Sequence, residues 1–255
     1  MSVLLDFPRV IFAVSFVALW LSEWIAASVR MRRRKLEEDD RDDFNLIAAA
    51  TLTLLGLIIG FSFSMAISRY DQRKSYEEAE ANAIGTEYVR ADLLPGQDAA
   101  KLRALLGNYL DQRILFYKTR DERALQQIDA ATAQLQTDLW SAVLAPAVSQ
   151  PTPLIALAVS GMNDVLNSQG YTQAAWWNRI PAAAWGLMVA IAICSNLLIG
   201  YGVRRSRTNS LLFLVLPLVV SISFLLIADI DSPRRGIIRV RPQNLESLSQ
   251  SLRAR

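Results

Sequence analysis

The sequence predicts an all-α, polytopic membrane protein whose four transmembrane helices form two pairs around a helical extramembrane region. First, four apolar runs are each close to the roughly 20 residues that a helix needs to cross a bilayer. Second, none of these runs alternates with period two, so they are helices and not barrel strands. Third, 52% of the residues are hydrophobic and 20% are charged, and the charges lie between and beyond the apolar runs. The runs cover residues 8–29, 46–67, 181–201 and 211–230.

The four runs divide the chain into predicted segments. The first run is too long for the apolar part of a signal peptide, so we expect it to be retained as a span. The segments are a first transmembrane pair at 1–67, a helical extramembrane region at 68–179 that continues from the second span, a second transmembrane pair at 180–230, and a polar tail at 231–255.

Basic residues beside the spans bear on the orientation of the chain. The loops after the first and third spans carry the cluster 30–35 and the residues Arg204, Arg205 and Arg207. Because short basic loops remain in the cytoplasm, this rule places both termini and the central region outside. Arginines after the second and fourth spans weigh against that orientation. The acidic run 37–43 is expected to be a solvated turn that ends in the N-terminal cap of the second span.

Helical periodicity also runs through the central region. The second span is expected to continue as a helix until Pro95 and Gly96 break it. No segment shows the alternation of a strand. The helices that follow are expected at 98–117, at 121–145 with an end at Pro146, and at 153–167 with an end near Gly170.

The composition excludes several classes of function. The chain has no histidine, and its single cysteine, Cys194, lies inside the third span. Histidine-dependent catalysis, a cysteine metal cluster and an intrachain disulfide are therefore excluded. We predict no enzyme activity, catalytic residue, metal or cofactor. The basic pI of about 9.2 indicates contact with anionic lipid headgroups and not with nucleic acid, because the arginines cluster beside the spans.

A stripe of small and then polar residues follows one face of the second span and continues beyond the membrane. Its members recur every three or four residues, which keeps them on one side of a single helix of about 45 residues. The stripe consists of Gly56, Gly60, Ser64 and Ser68 in the span and of Asp71, Ser75, Glu78, Asn82, Thr86 and Arg90 beyond it.

Two interpretations of this stripe stay open. Small residues at four-residue spacing allow close helix packing in lipid. The same face, continued by polar groups, is also suited to line an ion path, with the adjacent Phe61 and Phe63 as a hydrophobic constriction.

Aromatic and charged residues mark the predicted membrane boundaries. Trp176 and Trp177 precede the third span, where amphipathic rings favour the headgroup zone. Glu23 lies inside the first span, and an ionised group there is costly unless it is paired, faces water or snorkels toward Arg30.

Two carboxylates and two guanidiniums cluster at the end of the fourth span. Asp229 and Asp231 precede Arg234 and Arg235 by a few residues. We expect this cluster to hold an ion or to lock the tail to another loop through bidentate pairs.

Several motifs make the chain similar to the bestrophin-like family of bacterial membrane proteins, and the similarity extends over nearly the whole chain. The motifs are Gly60-Phe61-Ser62-Phe63-Ser64-Met65-Ala66, Arg69-Tyr70-Asp71, Glu80-Ala81-Asn82-Ala83-Ile84-Gly85-Thr86, Asp229-Ile230-Asp231-Ser232-Pro233, Gly236 and Ile238-Arg239-Val240.

This resemblance implies a multi-pass protein of the bacterial inner membrane that forms a homo-oligomer. True bestrophins are pentameric anion channels whose second span lines a hydrophobic neck. The resemblance therefore implies that Phe61, Phe63 and the segment 60–68 form such a neck. It also implies cytoplasmic termini, opposite to the orientation expected from the basic loops.

Two functions of different class are consistent with the sequence. In the first, subunits assemble around an axis, and the second span lines an ion pore that is anion-conducting by resemblance. In the second, the protein transports nothing and acts as a membrane-anchored sensing or interaction module through its helical centre. A fold resemblance alone does not decide between them.

Overall fold

The computed structural model describes residues 7–31, 38–202 and 212–254, and every regular element in these ranges is helical. The predicted all-α class is confirmed, and four helical stretches are long and apolar enough to cross a membrane. The elements are α1 (Pro8–Met31), α2 (Glu38–Arg90), a 3-10 turn (Ala91–Leu93), α3 (Gly96–Lys118), α4 (Glu122–Ser149), α5 (Pro153–Trp177), α6 (Ala182–Gly202), α7 (Leu212–Asp231) and α8 (Gln243–Arg253).

Two predicted helix ends are wrong. Pro146 lies inside the last turn of α4, and its carbonyl accepts the N–H of Gln150 at 2.9 Å. Helix α5 continues through Gly170 to Trp177. A glycine inside a helix costs only about 1 kcal/mol, and buried residues beyond it keep the face of α5 attached to the core.

The start of α2 also differs from the prediction. The helix begins at Glu38, so most of the acidic run 37–43 is helical and not a turn. The predicted basic residues at 32–35 and at 204–207 lie outside the described residues.

The chain divides into two compact units. The first contains Met1–Arg69 and Arg179–Arg239, and the second contains Tyr70–Asn178 and Val240–Arg255. The predicted polar tail 231–255 is thus divided between them, and its last part forms helix α8 of the second unit.

Apolar packing inside a bundle of helices holds the first unit together. Trp185 of α6 meets Phe224 of α7 edge to face, with ring centroids 6.0 Å apart. Helix α1 approaches α6 closely at Gly200, where an added Cβ would lie 2.9 Å from the backbone carbonyl carbon of Glu23. Many outward apolar side chains, including Val14 and Val215, stay exposed, as lipid contact requires.

The second unit has a larger core of apolar and aromatic side chains. Phe116, Tyr117 and Trp176 form an aromatic cluster with centroid distances of 4.9 to 5.5 Å. Trp176 is therefore a core residue and not a headgroup anchor, whereas Trp177 is 74% exposed. Other side chains with no exposed surface are Leu102, Leu106, Tyr109, Leu139, Met162 and Val165.

Candidate functional site

Helix α2 has two faces that differ sharply in exposure. In the first unit its inner face is buried at Leu55, Ser62 and Ala66. In the second unit the same side of the helix is buried at Arg73, Glu77, Glu80, Ile84 and Glu87. At 3.6 residues per turn, these positions lie roughly opposite the stripe predicted from the sequence.

The predicted stripe lies on the outer face of α2. Within the first unit, Gly56, Gly60, Ser64 and Ser68 are exposed. Within the second unit, Asp71, Ser75, Glu78, Asn82 and Thr86 are exposed, and Arg90 is half-buried. We call the nine exposed residues the outer stripe.

The small residues of the outer stripe do not serve packing against the rest of the described chain. A Cβ added at Gly56 or at Gly60 would meet no heavy atom within 4 Å. Among the described residues, no packing partner therefore lies against these two glycines, and this part of the outer face of α2 is open to water, lipid or another copy of the chain.

The two predicted constriction residues differ in exposure. Phe61 lies next to the outer stripe and is 62% exposed, whereas Phe63 is half-buried. Residues two apart on a helix point to different sides. Only Phe61 is therefore strongly displayed on this face.

The inner face of α2 carries an ion pair that the sequence analysis missed. The Arg113 guanidinium donates to the Glu80 carboxylate, and both side chains have no exposed surface. Glu80 Oε2 also accepts the hydroxyl of Tyr117 at 3.3 Å and that of Thr172 at 3.2 Å. Burial alone would lower the pKa of Arg113, but the adjacent Glu80 carboxylate raises it above its usual range. Burial and then Glu80 likewise raise the pKa of the Tyr117 phenol.

A second buried carboxylate of α2 caps the C-terminal helix. Glu77 Oε1 accepts the backbone N–H groups of Asn244 at 2.9 Å and of Leu245 at 3.0 Å. Its Oε2 accepts the Asn244 side-chain amide at 2.6 Å. Pro242 provides no side-chain cap to α8, so Glu77 replaces it.

A third buried carboxylate lies against α5. Neither oxygen of Glu87 has a hydrogen-bond partner among the described residues. A Cβ at Gly161 would overlap Glu87 Oε2 and Arg90 Nη1, so this position accepts only glycine without rearrangement. Burial raises the pKa of Glu87 to about 8, against an opposing effect of Arg90 and a smaller supporting effect of Asp164.

A periodic signal for this inner face was present in the sequence. Arg73, Glu77, Glu80 and Glu87 also recur at helical spacing. Polarity did not distinguish the two faces, because the partners of the buried charges lie 33 to 168 residues away along the chain.

The predicted acidic and basic cluster at the end of α7 serves the backbone. Asp231 accepts the N–H of Ile180 at 3.2 and 3.3 Å and lies 3.5 Å from Arg179 Nε. Asp229 accepts the N–H groups of Ile237 and Ile238. Arg235 lies over the ring of Phe7, at 4.5 Å from its centroid. The two carboxylates are thus occupied by backbone donors.

Within the described residues, no three histidine, cysteine, aspartate or glutamate side chains are grouped as metal ligands. Glu23 is buried in the first unit, and its Oε2 has no partner there among the described residues. Arg30 instead donates to the backbone carbonyl of Tyr201 at 3.1 Å, and its guanidinium lies over the aromatic ring of the same residue. The described contacts therefore do not pair Glu23 with Arg30.

The family model of the bestrophin-like domain matches residues 10–245, which is most of the chain. This protein belongs to the bestrophin-like family. The resemblance seen in the sequence motifs is thereby confirmed, and the four apolar helices are those of a multi-pass membrane protein.

Solved structures show the same fold. One crystal structure of a bacterial bestrophin homologue from Klebsiella pneumoniae is 13% identical, with a TM-score of 0.64, and the match covers 95% of this chain and 97% of that one. A second structure of that homologue matches with a TM-score of 0.63 at 13% identity, over 94% of this chain and 96% of that one. A structure described as a membrane protein matches with a TM-score of 0.65 at 13% identity, over 94% and 96%. Comparison with proteins of curated function gives no match.

Proposed function

We propose that this protein is an oligomeric ion channel of the bestrophin type, in which the outer stripe of α2 lines the pore. One observation carries the proposal: the stripe is exposed along its length, while the opposite face of the same helix is buried. Small residues let helices of neighbouring subunits approach closely, and the polar residues that continue the same face suit a water-filled path between those subunits. Water in a pore between subunits accounts for both their size and their polar continuation.

The pore would require several copies of the chain. The outer stripe faces away from its own subunit, so one chain does not enclose it. A closed ring of subunits related by a rotation axis would turn each stripe toward that axis. The family resemblance implies five copies.

Phe61 is the best candidate for a hydrophobic constriction. It is exposed beside the stripe and lies within the span. A ring of such side chains restricts ions by excluding water from a narrow section.

The charge of the extramembrane part of the stripe bears on selectivity. Asp71 and Glu78 are exposed carboxylates on this face. Rings of carboxylates attract cations, whereas the family resemblance implies anion conduction. The reversal potential under a salt gradient separates these two expectations.

The first test is ion flux through purified, oligomeric protein in liposomes. Phe61→Ala, alone and with Phe63→Ala, should change the flux. Trp24→Ala is the matched control, because Trp24 is an aromatic residue of α1 with 59% exposure. Absence of flux from assembled oligomers across several salts would contradict the proposal, as would an equal effect of the control.

A cysteine-accessibility test locates the pore. In a Cys194→Ser background, Ser64→Cys should react with a water-soluble charged thiol reagent and the reaction should block the flux. Val14→Cys, on an exposed face of α1, should not react. Equal reactivity of the two positions would contradict pore lining by α2.

The second candidate, a non-transporting interaction module, is favoured by one specific feature. Residues 139–163 contain no charged side chain, and they form the adjoining ends of α4 and α5. Leu144, Val148, Leu154 and Leu157 are exposed there. Two results together would replace the channel by this candidate. The wild type shows no ion flux, and Val148→Ser and Leu154→Ser abolish the biological activity of the protein.

A further inference from the structure

The segment after α7 has a fixed shape set by Asp229. The carboxylate accepts the N–H of Ile237 at 2.8 and 3.0 Å and that of Ile238 at 2.8 Å. Two consecutive backbone N–H groups thus donate to one side chain, and that of Ile237 is shared between the two carboxylate oxygens. The segment is therefore bound back onto the end of its own helix.

Gly236 allows the turn to close. A Cβ at this position would overlap the Asp229 carbonyl oxygen and would lie 3.2 Å from that of Ser232. The close approach of the backbone leaves no room for a side chain, so the turn is compact.

This compact turn presents an apolar residue to its surroundings. Ile237 is 80% exposed and Ile238 is 40% exposed, although both backbone N–H groups are satisfied. A single exposed apolar side chain needs no explanation on a soluble surface, but this one follows a membrane-crossing helix by only a few residues. It is suited to a bilayer boundary.

Arg235 is held next to this apolar tip. Its guanidinium lies over the ring of Phe7, with 4.5 Å between Cζ and the ring centroid. Phe7 directly precedes α1, and Arg235 follows Asp231, the last residue of α7, so Phe7 and Arg235 both lie beside the ends of membrane-crossing helices. Within the described chain, Arg235 forms no ion pair with a carboxylate.

The charge of the segment is uniformly positive. From residue 232 to residue 245 the sequence has no acidic residue and has four arginines. Two of them, Arg234 and Arg235, directly precede Gly236. A basic and apolar surface at the end of a span matches an anionic headgroup above an acyl chain.

We propose that the turn 233–238, together with Phe7, is a binding site for an anionic phospholipid. Arg235 contacts the lipid phosphate, and Ile237 enters the upper acyl region. The site is independent of the proposed channel, because it uses neither Phe61 nor any residue of the outer stripe.

The test is native mass spectrometry of the full-length protein in detergent, titrated separately with palmitoyl-oleoyl phosphatidylglycerol and phosphatidylcholine. The wild type should bind phosphatidylglycerol more tightly. Arg235→Gln should weaken phosphatidylglycerol binding by about fivefold, because one arginine near an anionic surface contributes about 1 kcal/mol. Ile237→Ser should weaken both lipids without changing their ratio.

Matched controls keep the result specific. Arg123→Gln removes an exposed arginine of α4, and Leu157→Ser removes an exposed apolar side chain of α5. Both variants should bind phosphatidylglycerol and phosphatidylcholine with wild-type affinity. Size-exclusion chromatography verifies that each variant assembles as the wild type does.

Three outcomes would overturn the proposal. The first is equal affinity of the wild type for the two lipids. The second is an Arg235→Gln variant that binds phosphatidylglycerol as tightly as Arg123→Gln does. The third is displacement of phosphatidylglycerol by millimolar inorganic phosphate, which would identify a simple anion site and not a lipid site.

Discussion

The buried pair of Glu80 and Arg113 allows a stability prediction with a definite magnitude. Both side chains have no exposed surface, and Glu80 also accepts the hydroxyls of Tyr117 and Thr172. Replacement of Glu80 by leucine would leave the guanidinium buried without its counter-charge. Removal of one partner of a buried ion pair costs about 3–5 kcal/mol, and solvent screening does not reduce the cost at a fully buried site.

The double variant Glu80→Leu, Arg113→Met should behave differently from the single variants. Apolar side chains of similar volume avoid the desolvation of both charges, so such replacements are often neutral. The two hydroxyls that lose their acceptor add about 1 kcal/mol each. We therefore expect the double variant to lie within about 2 kcal/mol of the wild type and to be more stable than either single variant.

The assay is thermal unfolding of the detergent-purified protein, followed by tryptophan fluorescence. For a chain of this length, 3–5 kcal/mol corresponds to a decrease in Tm on the order of 10 °C. The control is Arg253→Gln, which breaks the exposed pair with Asp111 and should cost less than about 1 kcal/mol. The reasoning is refuted if Glu80→Leu resembles this control, or if the double variant loses the sum of the two single losses.

Three further predictions concern the same unit. The pKa of Glu87 is raised to about 8 from an ordinary value of 4.5, so the folded state retains a proton that the unfolded state releases. The contribution of Glu87 to stability should be fully present below pH 4.5 and be lost as the pH rises from 4.5 to 8. Glu87→Gln should remove this part of the Tm profile, and an unchanged slope over that range would contradict the buried neutral carboxyl. Gly161→Ala should cost about 1–3 kcal/mol by overpacking against Glu87 and Arg90, and a Tm equal to that of the wild type would show that these side chains move away. Glu77→Ala should release α8, because it removes three hydrogen bonds. The expected result is faster proteolytic cleavage after residue 241, with the rest of the protein intact. Protection equal to that of the wild type would show that apolar contacts alone hold α8.

Much of the fold could be predicted because lipid imposes a simple requirement on sequence. Backbone groups in a bilayer must be satisfied within the segment, so a run of about 20 apolar residues is sufficient evidence for a helix. The span 46–67 and its continuation to Arg90 appear in the structure as one helix. The ends of α4 and α5 were predicted wrongly for two reasons. Pro146 is itself buried in the last turn of α4, and the contacts of Trp176 with Phe116 and Tyr117 stabilise α5 beyond Gly170.

The candidate site was only partly predictable. The outer stripe was identified by spacing, but spacing did not show that it is exposed, and Phe63 could not be distinguished from Phe61. The carboxylates Asp229 and Asp231 were expected to hold an ion or to lock the tail to another loop, and in the structure they accept backbone N–H groups. Local sequence carries the chemistry of a group but not the identity of its partner.

The sequence by itself determined the class of the protein, the number of apolar helices and the stripe of small and polar residues on α2. Only the tertiary structure decided which polar face of α2 is inside. Glu77, Glu80 and Glu87 are as hydrophilic as Asp71 and Glu78, and all of them follow helical spacing. The first three are buried because Asn244, Arg113 and the glycine at 161 are brought to them from distant parts of the chain. Hydropathy measures the cost of burying one residue alone, and that cost changes when folding supplies a partner.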